Sequence, residues 1–478
     1  MNDWFEHILF ATRAQPETSA IVMEDRVVTY GMLGDAITTC AHRILALDFP
    51  RDGLVAVCIT NPIRHLAVSL ALFRIGVRAV SIDAAHRGTP GLGYNLVLGD
   101  AAAKPVFARA GAFAEATDDW FAPDAANAGG SLPTAFAGDR TVCRHSLTSG
   151  STGAPKLLDH TVGALGRSIN STVGYSNCGL VLCLPGLTSV FGFRIACGVL
   201  ASRKTLLFSD SPFQSLRMVE LFGIDFVYAA TEQLVSLVRV ARGSGARLQS
   251  LRRIAVAGGI PTRALLESAA VHLCKDVICR YGTSELGVLA EAPAARVLER
   301  PGLTGDVLPG FEIAAFDPSG RPCAPGETGI VKARVKPTPD RADDPWTDHG
   351  DIGWVGGDGE VFVVGRTADI AAADFAGAAT RQVSPVYEIE HLVRLEWDAA
   401  DAAAILVEPR TAGAAPEIWV GTVACQDARL DRLEDILRRH GIAGVVRLFA
   451  LPAIPRGAAG KIQRAQLKAL MLATAGAA

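Results

Sequence analysis

An apolar run, Leu54–Ile59, is closed by Asn61-Pro62, followed by helical spacing from His65 to Ile75 and then by a second apolar run, Val77–Ile82. Strand, helix and strand in that order join through a parallel crossover, since only antiparallel neighbours can be linked by a tight turn. That requirement commits the chain to α/β layers. A hairpin is expected upstream, Ala20–Val22 with Val27–Thr29 around Glu24-Asp25, and Leu33, Ile37, Cys40 and Ile44 recur at helical spacing behind it. The pattern returns downstream, where Leu180–Leu184, Thr205–Phe208, Phe226–Ala229 and Ile254–Ala257 read as strands. The third feeds a helix capped by Thr231, and the fourth ends in Gly258-Gly259. Ala101 to Gly138, rich in Ala, Asp and Gly, reads as tolerant surface helix and loop. From Phe311 short β-like runs alternate with turns such as Asp317-Pro318-Ser319-Gly320. The expected architecture is a large N-terminal domain, residues 1–367, of α/β layers with a β-rich subdomain. A small α+β C-terminal domain follows over 369–478, with helices around Leu430–His440 and from Arg464.

Composition narrows the partners. With 46 Lys+Arg against 49 Asp+Glu the net charge is −3, so nothing calls for nucleic acid or an anionic membrane. Asp3 and Glu6 stand where a signal peptide would be basic. The most apolar stretch, Cys178–Phe193, is broken by Pro185 and closed by Arg194, so no membrane span is expected. The 10 cysteines show no CxxC and read as small buried hydrophobes in a reducing cytoplasm, without a metal site or disulfide framework. The sequence leaves the oligomeric state open.

The stretch Thr148-Ser149-Gly150-Ser151-Thr152-Gly153-Ala-Pro-Lys156 is built for an anion. Glycines let backbone N–H groups turn inward as a nest, hydroxyls add donors, and the lysine adds a point charge. It is not a Walker A loop: Gly150 and Gly153 are too close together, and Leu157 stands where Ser/Thr would hold Mg²⁺.

Three further motifs follow in order: Tyr281-Gly282-Thr283-Ser284-Glu285, then His349-Gly-Asp351-Ile-Gly353 leading to Gly365-Arg366, then Gly460-Lys461-Ile-Gln-Arg464. Together the four resemble the adenylate-forming superfamily of acyl-CoA synthetases, peptide-synthetase adenylation domains and firefly-type luciferases, over nearly the whole chain. The resemblance implies ATP, Mg²⁺ and coenzyme A as cofactors, and a carboxylic acid displacing pyrophosphate to become an acyl-adenylate. It implies that Thr148–Gly153 and Lys156 grip the β- and γ-phosphates, with Gly258 and Gly259 beside the nucleotide and Gly282 and Thr283 framing the Tyr281 loop. Glu285 would hold Mg²⁺, a cation that prefers carboxylate oxygen, and Ser284 would offer a hydroxyl beside it. Tyr281 would stack on adenine, Asp351 would take both ribose hydroxyls, and Arg366 would reach the ribose or α-phosphate. Lys461 would bridge the attacking carboxylate and the α-phosphate. The C-terminal domain would be mobile, pivoting at Ala368, to carry Lys461 in and later admit a thiol.

The chain departs from its relatives at three places. The segment Asp369–Glu390 is longer than usual and lacks a lysine, Thr188 and Ser189 replace an aromatic-histidine pair, and Leu157 replaces a glycine. The first of these lies on the thiol side, so a carrier-protein phosphopantetheine is the alternative acceptor to coenzyme A. A nucleotide-binding protein without turnover is the alternative of another class. The implied acyl pocket is walled by Thr188, Val190, Phe191, Tyr228 and Ile260, mostly apolar as ligand sites are. No aspartate falls at 185–195, which disfavours an amino-acid substrate. Arg194 is able to meet a second carboxylate, although a solvent-facing or capping arginine is the plainer expectation.

Overall fold

The computed structural model describes the chain except residues 1–2, 25, 85–91, 108–111, 124–131, 134, 150–154, 172–177, 246–247, 339–343, 368, 370–382, 398, 408–416, 426–427, 457–461 and 477–478, and the side chains of 3, 148, 149, 155, 156, 475 and 476. It divides into two compact units, Met1–Gly150 with Ala154–Tyr228, and a second that includes Ala229–Ala478.

The first unit opens with α1 (Asp3–Ala14), a helix the sequence reading did not anticipate. The hairpin β1 (Ser19–Met23) and β2 (Arg26–Thr29) follows, then α2 (Tyr30–Leu45), β3 (Leu54–Cys58), α3 (Pro62–Arg74) and β4 (Arg78–Ser81). Asn61 caps α3 by accepting from Ile63 and Arg64 N–H, and Pro62 sits where no helical donor is needed. β3 and β4 pair in parallel, the crossover the sequence demands. With β5 (Leu96–Gly99), β6 (Phe113–Glu115), β7 (Val142–Ser149) and β8 (Pro155–Thr161) they form a six-stranded sheet in the order β6-β5-β3-β4-β7-β8. β3 is buried along its whole length because alternate residues enter two cores: Val55 and Val57 pack with α2 and α3, and Leu54, Ala56 and Cys58 pack on the other face. The region 101–138 departs from expectation. Its β6 pairs with β5, and Phe107 and Trp120 are buried members of those two cores, so its described part is structural.

A second sheet in this unit holds β9 (Leu180–Cys183), β10 (Thr205–Phe208) and β11 (Phe226–Ala230) in the order β2-β1-β10-β9-β11. Between its strands run α4 (Lys104–Phe107) earlier in the chain, α5 (Val162–Ser171), α6 (Val190–Ala201) and α7 (Pro212–Phe222). Ser189 caps α6 through Gly192 N–H.

The second unit starts with α8 (Thr231–Ser244). Its cap is Ala230, whose N–H is held by Gln233 Oε1 at 2.9 Å, so Thr231 is the first helical residue and not the cap. Next come β12 (Arg253–Ala257), α9 (Arg263–His272), β13 (Val277–Thr283), β14 (Gly287–Pro293), α10 (Ala294–Glu299), β15 (Leu303–Val307), β16 (Phe311–Phe316), β17 (Gly329–Val335), β18 (Thr347–Val355) and β19 (Glu360–Arg366). β12 and β13 are parallel, and from β13 onward every pairing is antiparallel. At the β18–β19 bulge a side chain on Gly353 would place Cβ 1.8 Å from Phe362 O. Gly353→Ala is therefore expected to cost about 1–3 kcal/mol in denaturant unfolding, because the obstacle is backbone and cannot rotate away.

The chain ends in α11 (Pro385–Glu396), a sheet β20 (Asp401–Val407), β21 (Glu417–Val423) and β22 (Val445–Ala450), α12 (Leu430–Arg439) and α13 (Arg464–Gly476). Leu467 and Met471 of α13 seal this sheet. α11 packs on α8 and α9. Glu388 accepts from the N–H groups of Arg263 and Ala264 at the start of α9 (3.1 and 2.9 Å), His391 Nδ1 meets Thr262 Oγ1 at 2.8 Å, and Arg394 pairs with Glu232. Arg464 is buried against acids: Nη1 donates to Glu390 Oε1 at 2.6 Å and Nε lies 2.9 Å from Asp369 Oδ1. Tyr387 O–H holds the other Asp369 oxygen at 2.7 Å.

Candidate functional site

β13 and β14 form a hairpin whose turn is the Ser284-Glu285-Leu286 stretch. Two devices shape it. Pairing slips between Tyr281 and Gly282, where a Cβ on Gly282 would lie 2.4 Å from Gly287 O, so only glycine lets the strands close. Thr283 Oγ1 then accepts from Leu286 N–H at 3.1 Å and fixes the turn. Glu285 is left half-buried, with Oε2 3.2 Å from His349 Nδ1. Burial pushes its carboxyl up, but the His349 hydrogen bond and charge, its own backbone N–H and the Thr283 hydroxyl outweigh that and hold it below the usual range. Glu285 is thus an anion held ready. Its Nδ1 being the donor, His349 presents a bare Nε2, which is buried without a partner.

β18 and β19 bring the second cluster. Asp351 and Arg366 are cross-strand partners, and Arg366 Nε lies 3.6 Å from Asp351 Oδ1. The Tyr281 O–H donates to Asp351 Oδ2 at 2.8 Å. Burial, and then the Asp351 carboxylate, raise this phenol well above its ordinary value, so it remains a donor at any working pH. Tyr281, Asp351 and Arg366 accordingly stand as one hydrogen-bonded group, and Glu285 with His349 as another, on neighbouring ends of the β13–β14 and β18–β19 hairpins. The first carries acceptors and a cation of the kind that meet a ribose and a phosphate. The second carries hard oxygen of the kind that holds Mg²⁺. Ser284 lies in the turn beside Glu285. Gly258 and Gly259 follow β12, both exposed, and Ile260 is half-buried.

In the first unit, Thr148 faces Lys156 and Ser149 faces Pro155 at the end of the β7–β8 ladder, so the phosphate loop is the tip of a hairpin. Residues 150–153 of that loop, the pivot Ala368 and Lys461 lie outside the described residues. Thr188 is exposed just before α6, Val190 is buried, and Phe191 meets Tyr228 edge-on with ring centroids 6.4 Å apart. Tyr228 is itself buried against Phe226. Arg194 corrects the expectation of a solvent-facing side chain: it is 2% exposed, with Nη2 3.3 Å from His160 Nδ1. The residue that sequence reasoning missed is His349. Its place two residues before Asp351 was the available signal, but nothing in the sequence shows which carboxylate it would face.

A family profile described as AMP-binding enzyme matches residues 10–334. The chain is 25% identical over 504 residues to a 2-succinylbenzoate–CoA ligase of Geobacillus kaustophilus, covering 98% of each. It is 24% identical over 364 residues to an acetyl-coenzyme A synthetase of Pyrobaculum arsenaticum, covering 68% of this chain and about half, 53%, of that relative. A 4-coumarate–CoA ligase of Narcissus pseudonarcissus matches at 24%, over 68% of this chain and 64% of the relative. Among solved structures, the fold matches the o-succinylbenzoate CoA synthetase of Bacillus subtilis in complex with its acyl-adenylate intermediate, with TM-score 0.79, 20% identity and 98% of each chain covered. An amide bond synthetase of Marinactinospora thermotolerans matches with TM-score 0.74 at 19% identity, again over 98% of each chain.

Proposed function

Because this chain belongs to the AMP-binding enzyme family, we propose that it activates a carboxylic acid with ATP, releases pyrophosphate, and transfers the resulting acyl group to the thiol of coenzyme A. The observation that carries the reading is the grouping of Tyr281, Asp351 and Arg366 beside the Glu285–His349 pair. A carboxylate is a poor electrophile, and displacement at the α-phosphate is catalysed by positioning and by neutralising charge. Asp351 accepts the ribose hydroxyls once Tyr281 releases one of its oxygens to stack on adenine. Arg366 then turns from Asp351 toward the α-phosphate. Thr148–Gly153 and Lys156 hold the departing phosphates, and Glu285, already ionised, takes Mg²⁺, which supplies charge neutralisation along the triphosphate. Lys461 comes in on the domain 369–478, which swings at Ala368 relative to 1–367. Relatives named for CoA ligation, one of them matched end to end, support coenzyme A as acceptor. Among the described residues no helix is long and apolar enough to cross a membrane. That, with eight of ten cysteines buried as free thiols, supports a cytoplasmic enzyme.

Carboxylate-dependent ATP–pyrophosphate exchange tests the first half-reaction, and its absence with a broad acid panel would leave only a nucleotide binder. Thioester formation with coenzyme A, compared with a phosphopantetheinylated carrier protein, tests the second; exclusive use of the carrier would replace the acceptor. His349→Ala is expected to weaken Mg²⁺-dependent ATP binding about 10–100-fold, the usual cost of losing a partner that orients a metal's ligand. Calorimetric titration of ATP at several Mg²⁺ concentrations reads this without turnover.

A further inference from the structure

The interior of the first unit holds more positive charge than the adenylation chemistry uses. Arg144 on β7 is 4% exposed and His160, its cross-strand partner on β8, is 1% exposed. Arg194 on α6 closes on the same imidazole. A guanidinium only donates, so His160 Nδ1 accepts from Arg194 and Nε2 carries the proton, which goes to Ser146 Oγ at 2.7 Å. Burial and the two arginines keep this imidazole neutral. The charged neighbours of His160 are Arg194, Arg144 and His145, with no carboxylate among them.

Arg144 is similarly placed. Its Nη2 donates to Ser81 Oγ at 2.5 Å, Ser81 donates on to His65 Nε2 at 2.7 Å, and His65 Nδ1–H ends the chain on Ile59 O at 3.1 Å. Its guanidinium carbon sits 3.7 Å from the centre of the Phe193 ring, and Nε has no partner. Every acceptor in these two chains is already engaged, while Arg144 Nε and the Ser146 hydroxyl proton are left over. A buried cation short of acceptors is costly unless an anion completes it. Along α6, Arg194 lies one turn after Val190 on the same face, and Phe193 follows Phe191 by two. The cations thus adjoin the residues assigned to the acyl wall.

We propose that the acid activated by this chain carries a second anionic group, a carboxylate or its equivalent, and that Arg194 and Arg144 receive it. The inference rests on the adenylation reading and names the substrate class within it. Activation leaves that second group unreacted: only the carboxylate directed at the α-phosphate attacks, and pyrophosphate is the leaving group.

The test is ATP–pyrophosphate exchange with matched acids of equal length ending in methyl or in carboxylate, such as hexanoate against adipate and 4-methylbenzoylpropionate against 4-carboxybenzoylpropionate. The carboxylate-ended member is expected to have the higher kcat/KM by at least about tenfold. Arg194→Met is expected to erase that advantage, about a hundredfold through KM, since truncating one side of a buried charge pair falls mainly on binding. The methyl-ended acids should move less than about threefold, and Arg194→Lys should recover part of the loss. A wild-type preference for the methyl-ended acids would overturn the inference whether or not Arg194→Met folds. So would a preference for diacids that Arg194→Met leaves intact. If replacing gluconate by chloride in the buffer abolished the preference, the cations would belong to an inorganic ion and the substrate assignment would fall. Exchange with neither class of acid would instead bring down the adenylation reading itself.

Discussion

Lys461→Ala is expected to lower carboxylate-dependent ATP–pyrophosphate exchange by about 10²–10³-fold while ATP binding, measured by calorimetry, changes little. Negative charge gathers where the acid's oxygen meets the α-phosphate, and a cation placed there acts on the transition state more than on the ground state. The residues flanking 457–461 are prepared to present it. Arg456 pairs with Ile462 across the gap, and Gln463 N–H donates to Pro455 O at 2.8 Å, so the base of this segment is closed. Arg456 is held in turn by Asp401, with Nη2 to Oδ1 at 2.7 Å. Unchanged exchange in the variant would contradict the role given to Lys461. A parallel loss of ATP binding would move that role from the transition state to the ground state.

The second large effect concerns stability. Arg464→Met should cost about 3–5 kcal/mol in denaturant unfolding, since it strips the cation from a buried cluster and leaves Glu390 and Asp369 facing each other's field. Glu390→Gln should cost less, because Arg464 keeps Asp369 as a partner and the amide oxygen still accepts from Ala404 N–H. The pH dependence separates the two. Burial pushes the Glu390 carboxyl up, against the pull of Arg464. Without Arg464, a carboxyl raised above its unfolded value of about 4.3 favours the folded state only when protonated. The deficit of Arg464→Met should therefore shrink as pH falls toward that value. A deficit that grew in acid would mean the cluster is not held by this charge.

The parallel α/β layers were readable because periodicity carries them. Leu54–Ile59, the helix after it and Val77–Ile82 bury one or both faces, and burial is what a hydrophobic pattern records. The β-rich part was readable from its turns, such as Asp317–Gly320, where Gly320 N–H closes on Asp317 O at 2.9 Å. The 101–138 region was misread because Trp120 and Phe107 enter cores through single side chains, which leaves no period to detect. Thr231 was misread as a cap because a hydroxyl is the usual one, whereas here Gln233 reaches back to a residue with no polar side chain. Of the site, motif order showed which residues matter but not how they pair. That Tyr281 answers to Asp351, and Glu285 to His349, comes from strands whose register no local pattern encodes. Arg194 is the sharpest lesson. A lone arginine beside an apolar run reads as surface, and only β8 across from α6 reveals that it has been taken inside.

The junction of α11 with α9 joins two kinds of bond that respond differently to dissolved ions. Glu388 grips bare N–H groups at a helix start, an attraction between charge and dipole that fades as added electrolyte shortens the Debye length from about 10 Å at 0.1 M to about 3 Å at 1 M. His391, kept neutral by burial that lowers it to about 4, bonds to Thr262 without net charge and is indifferent to brine. Concentrated salt should thus unfasten the rim of this contact while its interior stays clasped, which makes ionic strength a tuning knob for how readily the terminal module lets go.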